Sequence, residues 1–322
     1  MTGSRDGNGI VIFGGSASVD LTNKICDYLA IKRGRALVSS FPDGETVIKI
    51  EDDVRGKDCF VVQSTSPPVN DNLMELLIFI DSLRRASAKR ITAVIPYYGY
   101  ARQDRKSEGR TPITAKLVAN MLTVAGVDRV LTMNLHADQI QGFFDIPLDH
   151  LTAAPVLAKH FMDRHLHDAV LVSPDVGNIK FGSDFASRIG GELAVIHKRR
   201  ISGTETVAVN IIGDVKGKKV MMFDDMIATA GTVSEAARLV RKHGATDVYV
   251  AATHAVFAGP AVERLNSAEL SEIVVTDTIA VSDEVKSGLK NLTVLSVSNL
   301  VGEAIRRIHE HRSISELFRP QE

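Results

Sequence analysis

The chain has 322 residues, 44% of them hydrophobic and 24% charged, with a formal net charge of -1. That length exceeds one ordinary core, so two domains of roughly 150 residues are expected, and the near-neutral balance argues against a nucleic-acid binder, which would carry a strongly basic face. Cys26 and Cys59 fit neither a disulfide framework nor a zinc cluster and suit a reducing compartment. The longest apolar run, 73–80, is broken by Glu75 and is far short of a membrane span. Residues 1–9 are polar and glycine-rich, with no hydrophobic signal core, so the cytoplasm is the expected compartment and small ligands are the expected partners.

In chain order, strand-like runs at 10–13, 59–63, 91–96 and 129–134 alternate with helix-like stretches at 70–86 and 112–124. Thr111 before Pro112 reads as a cap with proline at the first helical position. After about residue 151 the rhythm restarts: helix 153–165, strand 169–173, helix 179–189, strands 193–196 and 219–223, helix 233–243, strand 247–251. The strands are nearly all-apolar, as expected where helices cover both faces of a parallel sheet. The reading is therefore α/β, with one domain at 1–150 and a similar one at 151–322, each a mainly parallel sheet flanked by helices.

The segment 220–232 carries the most chemistry: an apolar run, then Asp224 and Asp225, then Ala228, Thr229, Ala230, Gly231 and Thr232 opening a helix. It reads as a ribose-phosphate site. Ligands of parallel sheets lie beyond the carboxyl ends of the strands, where the next helix offers unpaired N–H groups. Ala230 and Gly231 let amides approach a phosphate, and Thr229 and Thr232 add hydroxyls. Two carboxylates repel phosphate, so Asp224 and Asp225 face vicinal sugar hydroxyls or a Mg²⁺ ion. The blander alternative makes Asp225 an N-cap and Asp224 a surface acid. Elsewhere 213–219 fails the Walker spacing and no Gly-x-Gly-x-x-Gly follows a strand.

Four further segments leave strand ends. Residues 96–106 gather Arg102, Gln103 and cations beside tyrosines, suited to a nucleotide or to a solvated loop. His136 follows the strand at 129–134, where a single histidine is more often a hydrogen-bonded core group than a ligand. Asp175 is a strand-end carboxylate or a helix cap, and 197–200 is a cationic run that swings over a polyphosphate or forms a basic turn.

Together these segments resemble the ribose-phosphate pyrophosphokinases, the phosphoribosyl pyrophosphate synthetases, from residue 10 to 318. The resemblance rests on Phe41-Pro42-Asp43-Gly44-Glu45, Tyr100-Ala101-Arg102-Gln103-Asp104, the run from Asn134 to Phe144, Ser173-Pro174-Asp175, the Lys198 loop and the Asp224 segment. It implies two phosphoribosyltransferase-like domains and transfer of the β,γ-diphosphoryl group of Mg-ATP to the anomeric hydroxyl of ribose 5-phosphate. By the same resemblance, Phe41, Asp43 and Glu45 match a loop reaching adenine in a neighbouring subunit, which implies a homo-oligomer, a hexamer built from dimers. Arg102 and Gln103 match ATP contacts, and His136 and Asp175 match metal-associated positions. Asp224, Asp225 and residues 228–232 match the ribose 5-phosphate site, and Lys198 and Arg200 match a mobile catalytic loop. Asp53, Arg55, Ser87, Ser313 and Ser315 resemble a regulatory site for phosphate and ADP.

Three positions depart from the family pattern: Ala228 stands for an aspartate, Asn178 for a second glycine and Asp53 for a serine of regulated members. The competing readings are a phosphoribosyltransferase, which usually has one such domain, and a non-catalytic regulatory homologue, against which Lys198, Arg200, His136 and Asp175 argue.

Overall fold

The computed structural model describes residues 9–173, 185, 188–200 and 206–318, with backbone only at 197–200, 206–210 and 318. It divides into two units, the first made of Met1–Thr152, Thr278–Ala280 and Val297–Glu322, the second of Ala153–Asp277 and Val281–Ser296.

In the first unit a five-stranded parallel sheet runs β1 (Ile10–Gly14), β4 (Asp58–Val62), β5 (Arg90–Ile95), β6 (Arg129–Met133), β7 (Leu148–Leu151). Every residue of β4 is buried, which accounts for its lack of polar alternation. Helix α2 (Val69–Arg85) presents Leu73, Leu76, Ile80 and Leu83, spaced for one helical face, to a core shared with Val118 and Leu122 of α3 (Thr114–Ala125). An antiparallel hairpin, β2 (Ala36–Ser40) and β3 (Thr46–Ile50), packs Ala36, Val38, Ile48 and Ile50 against this core. Helix α3 begins two residues later than the Thr111-Pro112 signal suggests. The Thr111 hydroxyl donates back to the Glu108 carbonyl at 2.8 Å instead of capping, and Ile113 takes the N-cap position.

The C-terminal stretch differs from the expected division at residue 151. Helix Ser298–His309 packs beside α1 (Val19–Leu29), with Arg306 over the Tyr28 ring. Asp58, only 8% exposed, accepts two bonds from Arg90 and one from His309 Nδ1 at 2.8 Å, while Arg90 also donates to the Ile308 carbonyl at 3.1 Å. A buried carboxylate needs such partners, and they fasten residues after 297 to the first sheet.

The second unit holds a seven-stranded sheet in the order β10 (Thr206–Ile212), β9 (Leu193–Arg200), β8 (Val170–Ser173), β11 (Lys219–Ile227), β12 (Asp247–Ala255), β13 (Glu272–Thr276), β14 (Leu292–Leu295). All neighbours are parallel except β9 and β10. Its core joins Val220, Met222, Val248, Val250 and Ile273 to Val233, Ala237 and Val240 of α5 (Gly231–Lys242). Among the described residues no helix is long and apolar enough to cross a membrane.

Candidate functional site

The strand carrying Asp224 and Asp225 continues past both. β11 pairs with β12 as far as Ile227 with Ala255, so the acids sit within the strand's last residues, each half-buried. Asp225 is therefore not the N-cap of the next helix; its own amide donates to Asp224 Oδ1 at 2.9 Å. The N-cap is Ala230, held left-handed at φ 57°, with no side-chain cap and no acid in the first turn of α5. The helix start thus keeps its amides clear of any carboxylate of its own. Thr229 and Thr232 are exposed, Ala230 is buried, and Ala228 and Gly231 are half-buried.

This loop is held in place by residues that carry no sequence signal. Ala258 N donates to the Ala228 carbonyl at 2.9 Å, Phe257 N to that of Ile227 at 3.0 Å, and Arg264 Nη1 to that of Thr229 at 3.1 Å. A side chain on Gly231 would first meet Arg264 Nη1 at 3.4 Å, so the glycine leaves room at the loop's mouth rather than filling a need of the fold.

In the first unit the expected nucleotide loop leaves β5. Tyr98 anchors it, its hydroxyl donating to the Ala115 carbonyl at 3.0 Å and its ring edge-on to Phe144. The Tyr100 hydroxyl bonds Asn70, and Gln103 is tied by its amide to the Tyr100 carbonyl at 2.9 Å and by its carbonyl to Ala115 N at 3.2 Å. Arg102 and Gln103 are exposed and, with Val69, Tyr97, Tyr100 and Ala101, line a cleft of about 440 Å³.

His136 is exposed just beyond β6, at the mouth of the neighbouring strand. The two loops are linked, since Gln139 Nε2 donates to Asp104 Oδ2 at 2.7 Å. His150 steadies the base of the second loop, with Nε2 accepting from Leu135 N at 2.9 Å. Burial pushes the His150 pKa down, against the smaller upward pull of Asp138.

Phe41, Asp43 and Glu45 form the tip of the β2–β3 hairpin. The turn closes by Phe41 N to the Glu45 carbonyl at 2.8 Å and Glu45 N to Asp43 Oδ1 at 3.2 Å, and Phe41 is 56% exposed. At the candidate regulatory edge, Asp53 Oδ1 accepts from Arg55 N at 3.1 Å, Ser87 accepts through its carbonyl from Gly56 N at 3.0 Å, and the Ser313 carbonyl accepts from Arg307 at 2.8 Å. Ser315 opens a short 3-10 turn, and all five residues belong to the first unit. Lys198 and Arg200 lie on β9, longer than the expected strand at 193–196, with backbones opposite Ala208 and Thr206. Asp175 and Asn178 lie outside the described residues.

Two α/β units, each built on a mainly parallel sheet flanked by helices, define a class of phosphoribosyltransferase-like build. Within that class, residues 10–126 match the N-terminal domain of ribose phosphate pyrophosphokinase and residues 199–319 the phosphoribosyl synthetase-associated domain. The chain is 57% identical to the ribose-phosphate pyrophosphokinase of Rhodopirellula baltica, over 96% of this chain and 98% of that protein. It is 51% identical to the enzyme of the same name from Fusobacterium nucleatum, over 97% and 98% of the two chains. The crystal structure of phosphoribosylpyrophosphate synthetase from Mycobacterium smegmatis superposes with a TM-score of 0.88 at 42% identity, covering 94% of this chain and 99% of that one. The chain belongs to the ribose-phosphate pyrophosphokinase family, and its activity is that of a ribose-phosphate diphosphokinase. This sets aside the phosphoribosyltransferase reading.

Proposed function

We propose that the chain binds ATP through the loops of its first unit and ribose 5-phosphate at the β11–α5 loop of its second, and joins them to give phosphoribosyl pyrophosphate and AMP. The observation that carries the sugar-phosphate half is the start of α5, without a side-chain cap and flanked by exposed Thr229 and Thr232, directly after two strand carboxylates. Phosphate oxygens meet the amides and hydroxyls of residues 229–232, while Asp224 and Asp225 accept from ring hydroxyls at the far side of the sugar. The missing carboxylate at Ala228 removes one such acceptor.

The anomeric oxygen attacks the β-phosphorus of ATP, the bond from that phosphorus to the α-phosphate oxygen breaks, AMP leaves and the hydroxyl proton passes to solvent. Transfer of this kind depends on alignment and on cations placed where oxygen charge develops. Lys198 and Arg200 supply that charge in this proposal. Arg102 and Gln103 hold the nucleotide, and Phe41, Asp43 and Glu45 of one subunit reach the adenine of another in a hexamer built from dimers, working in the cytoplasm.

In this reading His136 and Asp175 would help hold a Mg²⁺ ion, which would supply charge neutralisation at the polyphosphate. Among the described residues no group of three or more His, Cys, Asp or Glu forms a metal cage. Mg²⁺ bound mainly by phosphate oxygens and water asks for only one or two protein ligands, so the donor set fits. At the regulatory edge, the Asp53 carboxylate opposes an anion, which makes phosphate activation and allosteric ADP inhibition weak.

The test is the nucleotide product. Incubation with ribose 5-phosphate and Mg-ATP gives AMP; ADP would mean a simple kinase, and absence of turnover a non-catalytic homologue. Lys198→Ala and Arg200→Ala lower kcat by about two to three decades, the worth of one cation facing developing charge, roughly 3 to 4 kcal/mol. Full activity in Lys198→Ala removes that assignment.

A further inference from the structure

Three consecutive carbonyls of the β11–α5 loop accept from one stretch of chain. Phe257 N donates to Ile227 at 3.0 Å, Ala258 N to Ala228 at 2.9 Å, and Arg264 Nη1, on the short helix Ala261–Asn266, to Thr229 at 3.1 Å. The first two bonds are backbone to backbone, so the third is the one a side chain controls. Its sense is fixed, because a guanidinium only donates and a carbonyl only accepts.

A trans peptide carries its C=O and its N–H on opposite sides. Holding the Thr229 oxygen against Arg264 therefore turns the Ala230 N–H away from Arg264, and among the described residues no hydrogen bond takes that amide. Ala230 itself is left-handed at φ 57°. Alanine disfavours that well by roughly fivefold or more, whereas glycine enters it about as readily as the right-handed one. Turning the 229–230 peptide over would return Ala230 to negative φ and put the Thr229 carbonyl where the amide had been. A phosphate oxygen arriving there would then meet an acceptor instead of a donor.

We propose that Arg264 is a positioning residue for the 5-phosphate of the sugar: it holds the 229–230 peptide against the relief that turning over would give Ala230, and so keeps the Ala230 amide on the ligand side. This rests on the reading of residues 229–232 as the phosphate grip. Arg264 itself touches no substrate.

The experiment is steady-state kinetics on the full-length enzyme with Arg264→Met, made both in the native chain and in an Ala230→Gly background. Arg264→Met keeps the apolar stem and removes the donors. In the native chain it is expected to raise the KM for ribose 5-phosphate about fivefold, because only the fraction of molecules with the peptide unturned binds. The KM for ATP changes by less than about twofold. In the Ala230→Gly background the same substitution costs only about twofold, because glycine populates both peptide orientations about equally. Thermal stabilisation by ribose 5-phosphate without ATP gives a second readout, and it weakens in the same order.

Loss of a positive charge near the phosphate would cost the same in both backgrounds, so an equal rise in both overturns the proposal. A merely structural Arg264 would move the ATP KM as well, which also overturns it. So does an unchanged ribose 5-phosphate KM in Arg264→Met when Thr232→Ala raises it. If Thr232→Ala is without effect too, the reading of 229–232 as the phosphate grip fails instead. Should Arg264→Met fail to fold, Arg264→Gln carries the same pair of measurements, and equal losses in its two backgrounds count against the proposal.

Discussion

The β1–α1 turn of the first unit and the β11–α5 loop of the second are both strand-to-helix connections built from glycine and hydroxyl residues, yet they are in opposite states. In the first, the chain fills its own turn. Glu75, 7% exposed, accepts from Ser16 N at 2.7 Å, from the Ser16 hydroxyl at 2.7 Å and from Gln63 Nε2 at 2.9 Å, while Gln63 Oε1 takes Ala17 N at 3.1 Å. Neither helix has a side-chain cap at its own N-cap residue, but α5 also begins without an acid in its first turn. The same local chemistry is satisfied from within by Glu75 in the first turn, while among the described residues no carboxylate binds the start of α5, where the proposed ribose 5-phosphate site lies. What occupies a turn, rather than its composition, marks a site.

The largest effect expected from breaking this contrast is Glu75→Ala. It strands the buried Gln63 Nε2 donor and leaves the amide and hydroxyl of exposed Ser16 to water, a loss of up to roughly 3 kcal/mol. Thr232→Ala at the receptive loop, where the hydroxyl is exposed, changes stability by less than about 0.5 kcal/mol. Urea denaturation of the two variants checks it, and similar losses in both would dissolve the distinction.

Next comes a matched glycine pair. A Cβ on Gly15 would lie 2.5 Å from the Gln63 amide and 2.8 Å from Glu75 Oε1, so Gly15→Ala costs about 1 to 3 kcal/mol of overpacking. Gly231→Ala meets its nearest neighbour at 3.4 Å and leaves the fold intact. Any loss in the second variant therefore falls on ribose 5-phosphate, seen as a raised KM at unchanged melting temperature. A Gly231→Ala protein with normal KM would show that no ligand approaches that backbone.

A third variant sharpens the receptive side. Restoring the family carboxylate with Ala228→Asp is expected to lower the KM for ribose 5-phosphate by up to about tenfold, the worth of one charge-assisted hydrogen bond. An unchanged or higher KM would mean that Thr229 or water already serves the sugar there.

The legibility of these regions in sequence follows the range of the forces that build them. The buried core of β11 shows itself as an apolar run, because a strand covered on both faces tolerates little else. Its extension through Asp224 and Asp225 does not show, since short acids usually end strands, and here pairing with β12 as far as Ala255 carries the ladder through them. The β2–β3 hairpin, half-exposed and only five residues a side, leaves too weak an alternation to read. The return of the C-terminal helix to the first unit rests on Asp58 and His309, 251 positions apart, which no local pattern connects. Of the candidate site, the proposed motif residues stand out in sequence as short segments, while Arg264, which holds the Thr229 carbonyl, does not.

The smallest expected effect concerns how the first unit holds its exposed loop at His136, where the support is a neutral histidine rather than a carboxylate. His150 Nε2 accepts from Leu135 N, so that nitrogen carries no proton in the folded chain. Burial lowers the folded pKa below the unfolded value of about 6.5, despite the opposing carboxylate of Asp138 with Oδ1 3.8 Å from Nδ1. Above pH of about 6.5 the ring is neutral in both states and the full stability is present. As pH falls below that, the unfolded chain binds a proton that the folded chain refuses, and stability is lost until pH passes the folded pKa. Melting temperature should therefore fall between about pH 7 and pH 5, and His150→Gln, which keeps an acceptor but does not titrate, should flatten that part of the slope. Identical pH slopes in the two proteins would show that His150 is protonated without disturbing Leu135, and that this loop does not depend on a neutral ring.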